Sequence, residues 1–470
     1  MTEQPETKPE AQELHVDLLV IGWGKGGKTL ARQAGRAGRS VALVEQSEQM
    51  VGGSCINIGC VPSKALLHDA GERRPQDDPV LAFRAAVARR DGLTGRLRER
   101  NRELLEELDP VRIVMGRAVF TGPRRVEVDT AEGTVRISAE TVCINTGAVS
   151  ALPDLPGAVL GGRVHDSTSI QHLDPLPERL VIVGAGAIAL EFASLFGRFG
   201  TEVTVLNRGE RILPAEDPEI AELVADSLSE AGVRILSGAE TARIDQGPEH
   251  VEVRWRDARG GEHAERADAV LLATGRRAAV DGLGLAAAGV ELDERGFVAV
   301  DERLRTSAPG VYALGDVNGG PQHTYISLDD ARIVADQLWG SGRRSREDRE
   351  AVPSVLFVDP PLARVGITAA EARRRGLDAL AAAKPVAGIA AMPRPKIEGD
   401  ARGLVSFVVD ARDDRVLGAS LLHLGSDEVV NLVATAMRHG ITATQLREAI
   451  YTHPSAAEAL NEVLAELRPL

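Results

Sequence analysis

Long apolar runs are missing from this sequence. No stretch approaches the ~20 consecutive apolar residues that a membrane span needs, and the N-terminal MTEQPETKPEAQE is acidic and polar where a signal peptide would be basic and then apolar. A soluble, cytoplasmic protein is the expectation. Positive charge is also in deficit: 55 Lys and Arg stand against 69 Asp and Glu, a formal charge of −14. A phosphate-backbone partner requires a basic surface, so nucleic acid is set aside. Cysteine is scarce too. Three cysteines in 470 residues make no secreted disulfide framework, and two of them, Cys55 and Cys60, stand five positions apart. In a reducing compartment such a pair points to catalysis rather than to structure.

At the usual ~100 to 200 residues per domain, this length implies about three domains. Residues 1–13 are charged and apolar-poor and read as a loose tail. The run HVDLLVIG then ends in Gly22-Trp23-Gly24-Lys25-Gly26-Gly27, KTLARQAGRAG has helical character, and SVALVE is a second strand closing on Glu45. Strand, GxGxxG, helix, strand and acid form a dinucleotide-binding fingerprint. Gly22, Gly24 and Gly27 let the backbone approach a pyrophosphate at the helix N-terminus, and Glu45 can accept from a ribose hydroxyl. The pattern returns in RLVIVGAGAIALEFASLFGRFGTEVTVLNR, with Gly184, Gly186 and Ala189 in the corresponding places. A single GxGxxG is as often an ordinary tight turn, but two copies in strand–helix–strand context imply two dinucleotide sites.

Two further strands end in Thr146-Gly147 and Thr274-Gly275, which suits a chain turning beside a bound nucleotide, although a plain strand exit has the same wording. VYALGDV ends at Gly315-Asp316, where a carboxylate can meet a sugar or ribityl hydroxyl. Beyond about residue 350 the pattern changes. PSVLFVDPPLARVG and LVSFVVDARDDRVLGASLLH alternate like antiparallel strands, and EVVNLVATAMRHG and ATQLREAI read as helices. WGSGRRSREDREA, at 339–351, is the linker candidate. The fold class is therefore α/β, with two Rossmann-like dinucleotide-binding domains and a C-terminal α+β domain.

Directly after the first nucleotide unit comes GGSCINIGCVPSK, residues 52–64. In a regular helix, residues five apart have Cα atoms about 9 Å from each other, beyond the roughly 7 Å limit for a disulfide. The segment must bend if Cys55 and Cys60 bond, and Asn57 and Gly59 give it that freedom. Pro62 suits an early position of the helix that follows. Cys60 then sits near a helix N-terminus, where the dipole and Lys64 favour a thiolate. Cys143, inside a strand, reads as a small buried hydrophobe.

This motif resembles the redox-active segment of the class I pyridine nucleotide-disulfide oxidoreductases, the FAD-dependent family that includes lipoamide dehydrogenase, glutathione reductase and mercuric reductase. The likeness runs from HVDLLVIG to HPSAAEAL. It implies an FAD domain over 14–149 and 277–348, an NAD(P) domain over 150–276, and a dimerisation domain over 349–470. It also implies a homodimer in which Cys55 and Cys60 of one subunit meet the C-terminal His of the other. His453 would be that general acid/base, oriented by Glu458, and His chemistry near neutral pH suits the role. By the same pattern Glu191 pairs with Lys64 close to the flavin, Cys55 is the more exposed thiol that attacks substrate, and Cys60 contacts the flavin. One departure stands out. The position that often holds an aromatic lid in the second unit is Ala187, which implies a more open nicotinamide pocket and some electron leakage to oxygen.

Lipoamide dehydrogenases usually carry an acid at the end of the second strand of the NAD unit, and Asn207 stands there, followed by Arg208 and Arg211. A 2′-phosphate would meet no carboxylate, so NADPH is the expected donor, with NADH a possibility. No cysteine lies beyond Cys143, where mercuric reductases and large thioredoxin reductases have C-terminal pairs, and neither activity is expected. The wordings GWGKGGKTLA, QHTYISLDDARIVADQLWG and IYTHPSAAEALN resemble the reactive-chlorine-resistance flavoproteins, also described as hypothiocyanous acid reductases and copper(II) reductases. That branch implies a small-molecule oxidant as substrate in oxidative stress. NAD-dependent dihydrolipoyl dehydrogenase is the alternative. No metal site is assigned.

Overall fold

The computed structural model describes residues 12–470. The first strand opens at Gln12, so two residues of the expected tail are in strand, and the rest, 1–11, lies outside the described residues. The chain forms two compact units.

The first unit comprises residues 12–65, 88–151 and 276–348. Its seven-stranded sheet runs in the order Val111–Met115, Val41–Glu45, Gln12–Ile21, Gly133–Ile144, Arg125–Thr130, Arg117–Gly122, and Val311–Ala313 adds parallel to Gly133–Ile144. The strands from Val111–Met115 through Gly133–Ile144 are parallel, and Val41–Glu45 is buried at every residue, as expected for a strand covered on both faces. Period-two alternation distributes the core. Leu18 and Val20 face one cluster with Leu30, Ala31 and Cys143, and Leu19 and Ile21 face another with Val44 and Ile144. Helix α1 (Lys25–Arg36) lies on the first of these faces. A Cβ at Gly27 would come within 2.6 Å of Val20 Cγ1, so only glycine permits this close packing. Three further helices carry the site or frame it: α2 (Ser54–Asn57), which lies wholly in this unit, and α3 (Cys60–Glu72) and α4 (Pro79–Glu106), each of which has residues in both units.

The second unit comprises residues 66–87, 152–275 and 349–470. Its five-stranded parallel sheet runs Val233–Ser237, Glu202–Asn207, Arg179–Val183, Ala269–Leu272, Val164–His165, with helix α5 (Ala187–Phe199) between Arg179–Val183 and Glu202–Asn207. Phe83 packs on Phe196 and Phe199 with ring centroids 5.7 and 5.2 Å apart, geometry that adds about 0.5–1.5 kcal/mol per pair to simple area burial. The later part forms a six-stranded antiparallel sheet that includes Leu362–Gly366, Leu404–Asp410 and Val416–Leu422, with helices Ser426–Arg438 and Ala443–Glu448. Both strand regions and both helices read from the sequence are there. Among the described residues no helix is long and apolar enough to cross a membrane.

Candidate active site

The first glycine turn is built around Asn145. Gly22 has φ +95°, and a Cβ there would lie 2.5 Å from the Asn145 carbonyl oxygen. The Gly27 amide donates to Asn145 Oδ1 at 2.8 Å, and Asn145 Nδ2 donates to the Leu314 carbonyl at 2.7 Å. One buried carboxamide thus fastens the turn to the end of the strand Val311–Ala313. Gly24 caps α1, and a Cβ there would also strike Asn145. Glu45 is buried, accepts from the amides of Trp23 and Ser47, and is pushed up in pKa by burial against those bonds.

A cavity of about 270 Å³ opens here, with Gly22, Glu45, Arg117, Thr146 and Arg277 among its walls. Thr146 Oγ1 is buried and has no hydrogen-bond partner among the described residues, a polar atom left for a ligand. Gly147 at φ +75° and Gly315 at φ +72° turn the two neighbouring strand ends. Burial also raises Asp316, whose carboxylate lies 3.8 Å from Arg276. A carboxylate at a strand end, an orphan hydroxyl and a glycine turn at a helix N-terminus fit an adenine dinucleotide such as FAD.

The cysteine loop is held from three sides. Gly53 has φ +84°, and a Cβ there would meet Gly24 Cα at 2.8 Å and the Trp23 carbonyl at 2.9 Å, which ties the loop to the glycine turn. Asn57 is buried, and its Nδ2 donates to the carbonyls of Val51 and Gly53, while Arg98 Nε from α4 donates to its Oδ1 at 3.0 Å. Lys28 Nζ donates to the Gly52 carbonyl at 2.8 Å and to Asn101 Oδ1 at 2.6 Å. The chain leaves helical geometry at Ile58 and Gly59, so the bend required by the cysteine spacing is present. Helix α3 begins at Cys60 itself, two residues before Pro62.

The Cys55 thiol hydrogen-bonds to the Cys60 sulfur, and Cys60 Sγ lies 3.6 Å from Thr324 Oγ1. That hydrogen bond, burial, and the charge on Cys60 all push the Cys55 thiol up, while Thr324 and Lys28 act against them. Cys60 stands at the head of α3, where the helix dipole favours negative charge on sulfur. In exposure the pair departs from expectation: Cys60 is exposed and Cys55 half-buried. Cys55 is enclosed within the tethered loop, whereas Cys60 opens a helix toward Thr324. Tyr325, next to it, is pushed up to about 12, first by burial and then by Cys60. Its ring stacks on His323 at 4.9 Å. Lys64 is half-buried one turn along α3.

In the second nucleotide turn, Gly184 has φ +107° and a Cβ there would lie 2.5 Å from the Ala273 carbonyl. Gly186 caps α5, Ala189 is fully buried against the sheet, and Gly275 turns at φ +133°. Ala187 is exposed at the first position of α5. Glu191 is buried on the same helix and accepts from the Phe357 amide at 3.1 Å. Asn207 closes its own turn, with Gly209 N–H donating to Oδ1 and Nδ2 donating to the Gly209 carbonyl, both at 3.1 Å. The two arginines separate. Arg211 Nη2 donates to the carbonyls of Pro214 and Glu216, whereas Arg208 is exposed and makes no hydrogen bond or ion pair among the described residues.

His453 projects 72 % exposed, with Nδ1 2.9 Å from Glu458 Oε1, whose side chain is only 14 % exposed. The other carboxylate oxygen accepts from the Ser455 amide at 2.8 Å. The bond from His453, followed by that amide among lesser causes, outweighs burial and holds Glu458 below its ordinary value. Ile450, three residues before His453, is fully exposed. Sequence reasoning missed Asn145, Lys28, Thr324 and Tyr325, although all four lie inside stretches it had singled out.

The description "Pyridine nucleotide-disulphide oxidoreductase" matches residues 16–331, and its dimerisation domain matches residues 352–464. The chain is 42% identical to the probable pyridine nucleotide-disulfide oxidoreductase RclA of Escherichia coli, over 95% of this chain and 98% of that one. It is 35% identical to a dihydrolipoyl dehydrogenase of Thermus scotoductus, over 96% and 97% respectively. The solved copper(II) complex of the HOCl-induced flavoprotein disulfide reductase RclA from Escherichia coli superposes with a TM-score of 0.90 at 41% identity, covering 96% of this chain and 99% of that chain.

Proposed function

This chain belongs to the pyridine nucleotide-disulphide oxidoreductase family, and from that premise we propose that it spends NADPH, through FAD and the Cys55–Cys60 pair, to reduce hypothiocyanous acid in the cytoplasm. The observation that carries the reading is the tethered pair itself: two thiols in hydrogen-bond contact, one of them at the head of α3. FAD would be held by Gly22, Gly24, Gly27, Glu45, Thr146, Gly147, Gly315, Asp316 and Lys64, and when bound it supplies hydride acceptance from the nucleotide and an electron pair for the disulfide.

The reduced pair then does the rest. Cys55, as its proton passes to His453, attacks the sulfur of hypothiocyanous acid, forming a sulfenyl thiocyanate and releasing hydroxide, which becomes water on taking up a proton. The Cys60 thiolate attacks the Cys55 sulfur, thiocyanate departs, and the disulfide is restored. Two electrons are consumed per oxidant. These roles require the exposed face of Cys60 to be the one the flavin covers.

His453 belongs to the second unit and the cysteines to the first, and the dimerisation-domain match and the bare Ile450 support a homodimer in which His453 of the partner subunit serves the pair. The assignment of 14–149 with 277–348 to FAD, 150–276 to the nucleotide and 349–470 to dimerisation belongs to the same reading, as does a working contact between Lys64 and Glu191. Copper(II) is a second acceptor, favoured by the solved copper complex of the relative.

The test is a substrate panel on purified protein, following NADPH and NADH with hypothiocyanous acid, copper(II), oxidised glutathione, lipoamide and mercury(II). Hypothiocyanous acid should be reduced fastest with NADPH, and Cys55→Ser and Cys60→Ser should each abolish it. A preference for lipoamide with NADH, or an undiminished rate in either variant, overturns the reading.

A further inference from the structure

Lys28 is not needed to build the glycine turn, yet it is fixed with care. It sits in the first turn of α1, and Nζ reaches across to the Gly52 carbonyl, three residues before Cys55, and to Asn101 on α4. Both anchors are neutral oxygens, so they orient the ammonium without cancelling its charge. The charged groups acting on it are Lys25 on its own helix and Cys55 on α2; from the Gly52 loop and from α4 it is touched by neutral groups, and no carboxylate pairs with it among the described residues. Burial, followed by Lys25, pushes this ammonium down to about 8, and Cys55 alone acts in the opposite sense. A partly buried charge whose one anionic counterpart is a reacting sulfur has a use at that sulfur.

We infer that Lys28 is a positioning residue of the thiol site: its ammonium, fastened between the Gly52 carbonyl and the Asn101 side chain, stabilises Cys55 as a thiolate while that sulfur attacks the oxidant. The inference rests on Cys55 being the attacking thiol. Lys28 takes no proton in the step; it lowers the cost of the negative charge that the departing proton leaves behind. The rival role, a tether for the loop, needs hydrogen-bond donors but no charge.

The experiment measures alkylation of Cys55 by iodoacetamide against pH in the Cys60→Ser background, where Cys55 titrates alone and no oxidant turnover is involved, so failure of the proposed substrate leaves the readout intact. Lys28→Gln, which keeps an amide donor and removes the charge, should raise the midpoint by about one pH unit, and Lys28→Arg should bring it back. Flavin absorbance and the melting temperature report whether each variant is folded. Where Lys28→Gln does not fold, the Cys60→Ser protein alone decides: anionic iodoacetate should gain on neutral iodoacetamide at Cys55, relative to glutathione, and lose that advantage in high salt. An unchanged midpoint in folded Lys28→Gln, a midpoint that Lys28→Arg fails to restore, or no preference for iodoacetate would overturn the inference.

Discussion

The preference for NADPH proposed above should be lost when Arg208 is replaced by Ala and kept when Arg211 is. Asn207 spends its carboxamide on Gly209, so it neither repels a 2′-phosphate nor has much capacity left to bind one. Arg211 is committed to two loop carbonyls, which leaves Arg208, exposed beside the strand end, as the cation able to reach the phosphate. A charge-assisted hydrogen bond contributes about 1.5–3 kcal/mol, so Arg208→Ala should lower kcat/KM for NADPH by roughly 10- to 100-fold at 1.4 kcal/mol per decade. NADH, which lacks the phosphate, should be nearly unaffected. Arg211→Ala frees the Pro214 and Glu216 carbonyls and should weaken both nucleotides by similar factors through a looser loop. Asn207→Asp keeps the acceptor for Gly209 N–H but introduces a carboxylate, and should turn the preference toward NADH. The assay is steady-state kinetics with both nucleotides at a fixed, saturating oxidant. If Arg211→Ala erases the preference while Arg208→Ala leaves it, the division of labour between the two arginines is wrong.

Asn145→Leu should lower stability by about 2–6 kcal/mol, since it strands the buried Gly27 amide and Leu314 carbonyl, each at about 1–3 kcal/mol; denaturant unfolding with flavin release as a second signal measures it, and an unchanged midpoint would count against the bracket role. Glu458→Gln should slow turnover at every pH, because His453 loses its orienting carboxylate. The stability profile should respond with a definite sign. A carboxyl held below its usual range stabilises the fold above that range and loses the contribution as pH falls through its lowered value, so part of the acid-side loss in melting temperature, below about pH 4.5, should vanish in the variant.

Much of the site could be read from neighbours along the chain. Both glycine turns stand between a strand and a helix because the motif itself encodes that order, and the break at Ile58–Gly59 follows from how far apart a helix would hold Cys55 and Cys60. What stayed hidden depends on distant partners. Asn145 holds Gly27 across 118 positions, Lys28 meets Asn101 across 73, and Thr324 approaches Cys60 across 264. No periodicity reports such pairings. Arg208 and Arg211 read alike as two charges after a strand, and only the course of the loop separates them. The order of exposure of the thiols was hidden for a similar reason: the loop around Cys55 is fastened to α1 and α4, while Cys60 lies at the exposed head of α3.

The third cysteine has a consequence for anyone counting oxidant equivalents. Cys143 is wholly enclosed between strands, and burial alone raises its thiol far out of the reactive range. In a protein that works through a reactive thiol pair, a spectator sulfur would blur the stoichiometry of any thiol reagent, consuming it without returning it and offering a site for scrambled pairing. Its enclosure leaves the folded, reduced protein with two titratable sulfurs and the denatured one with three. A native thiol count is therefore a direct count of active sites, and the difference on denaturation is an internal standard carried by every chain.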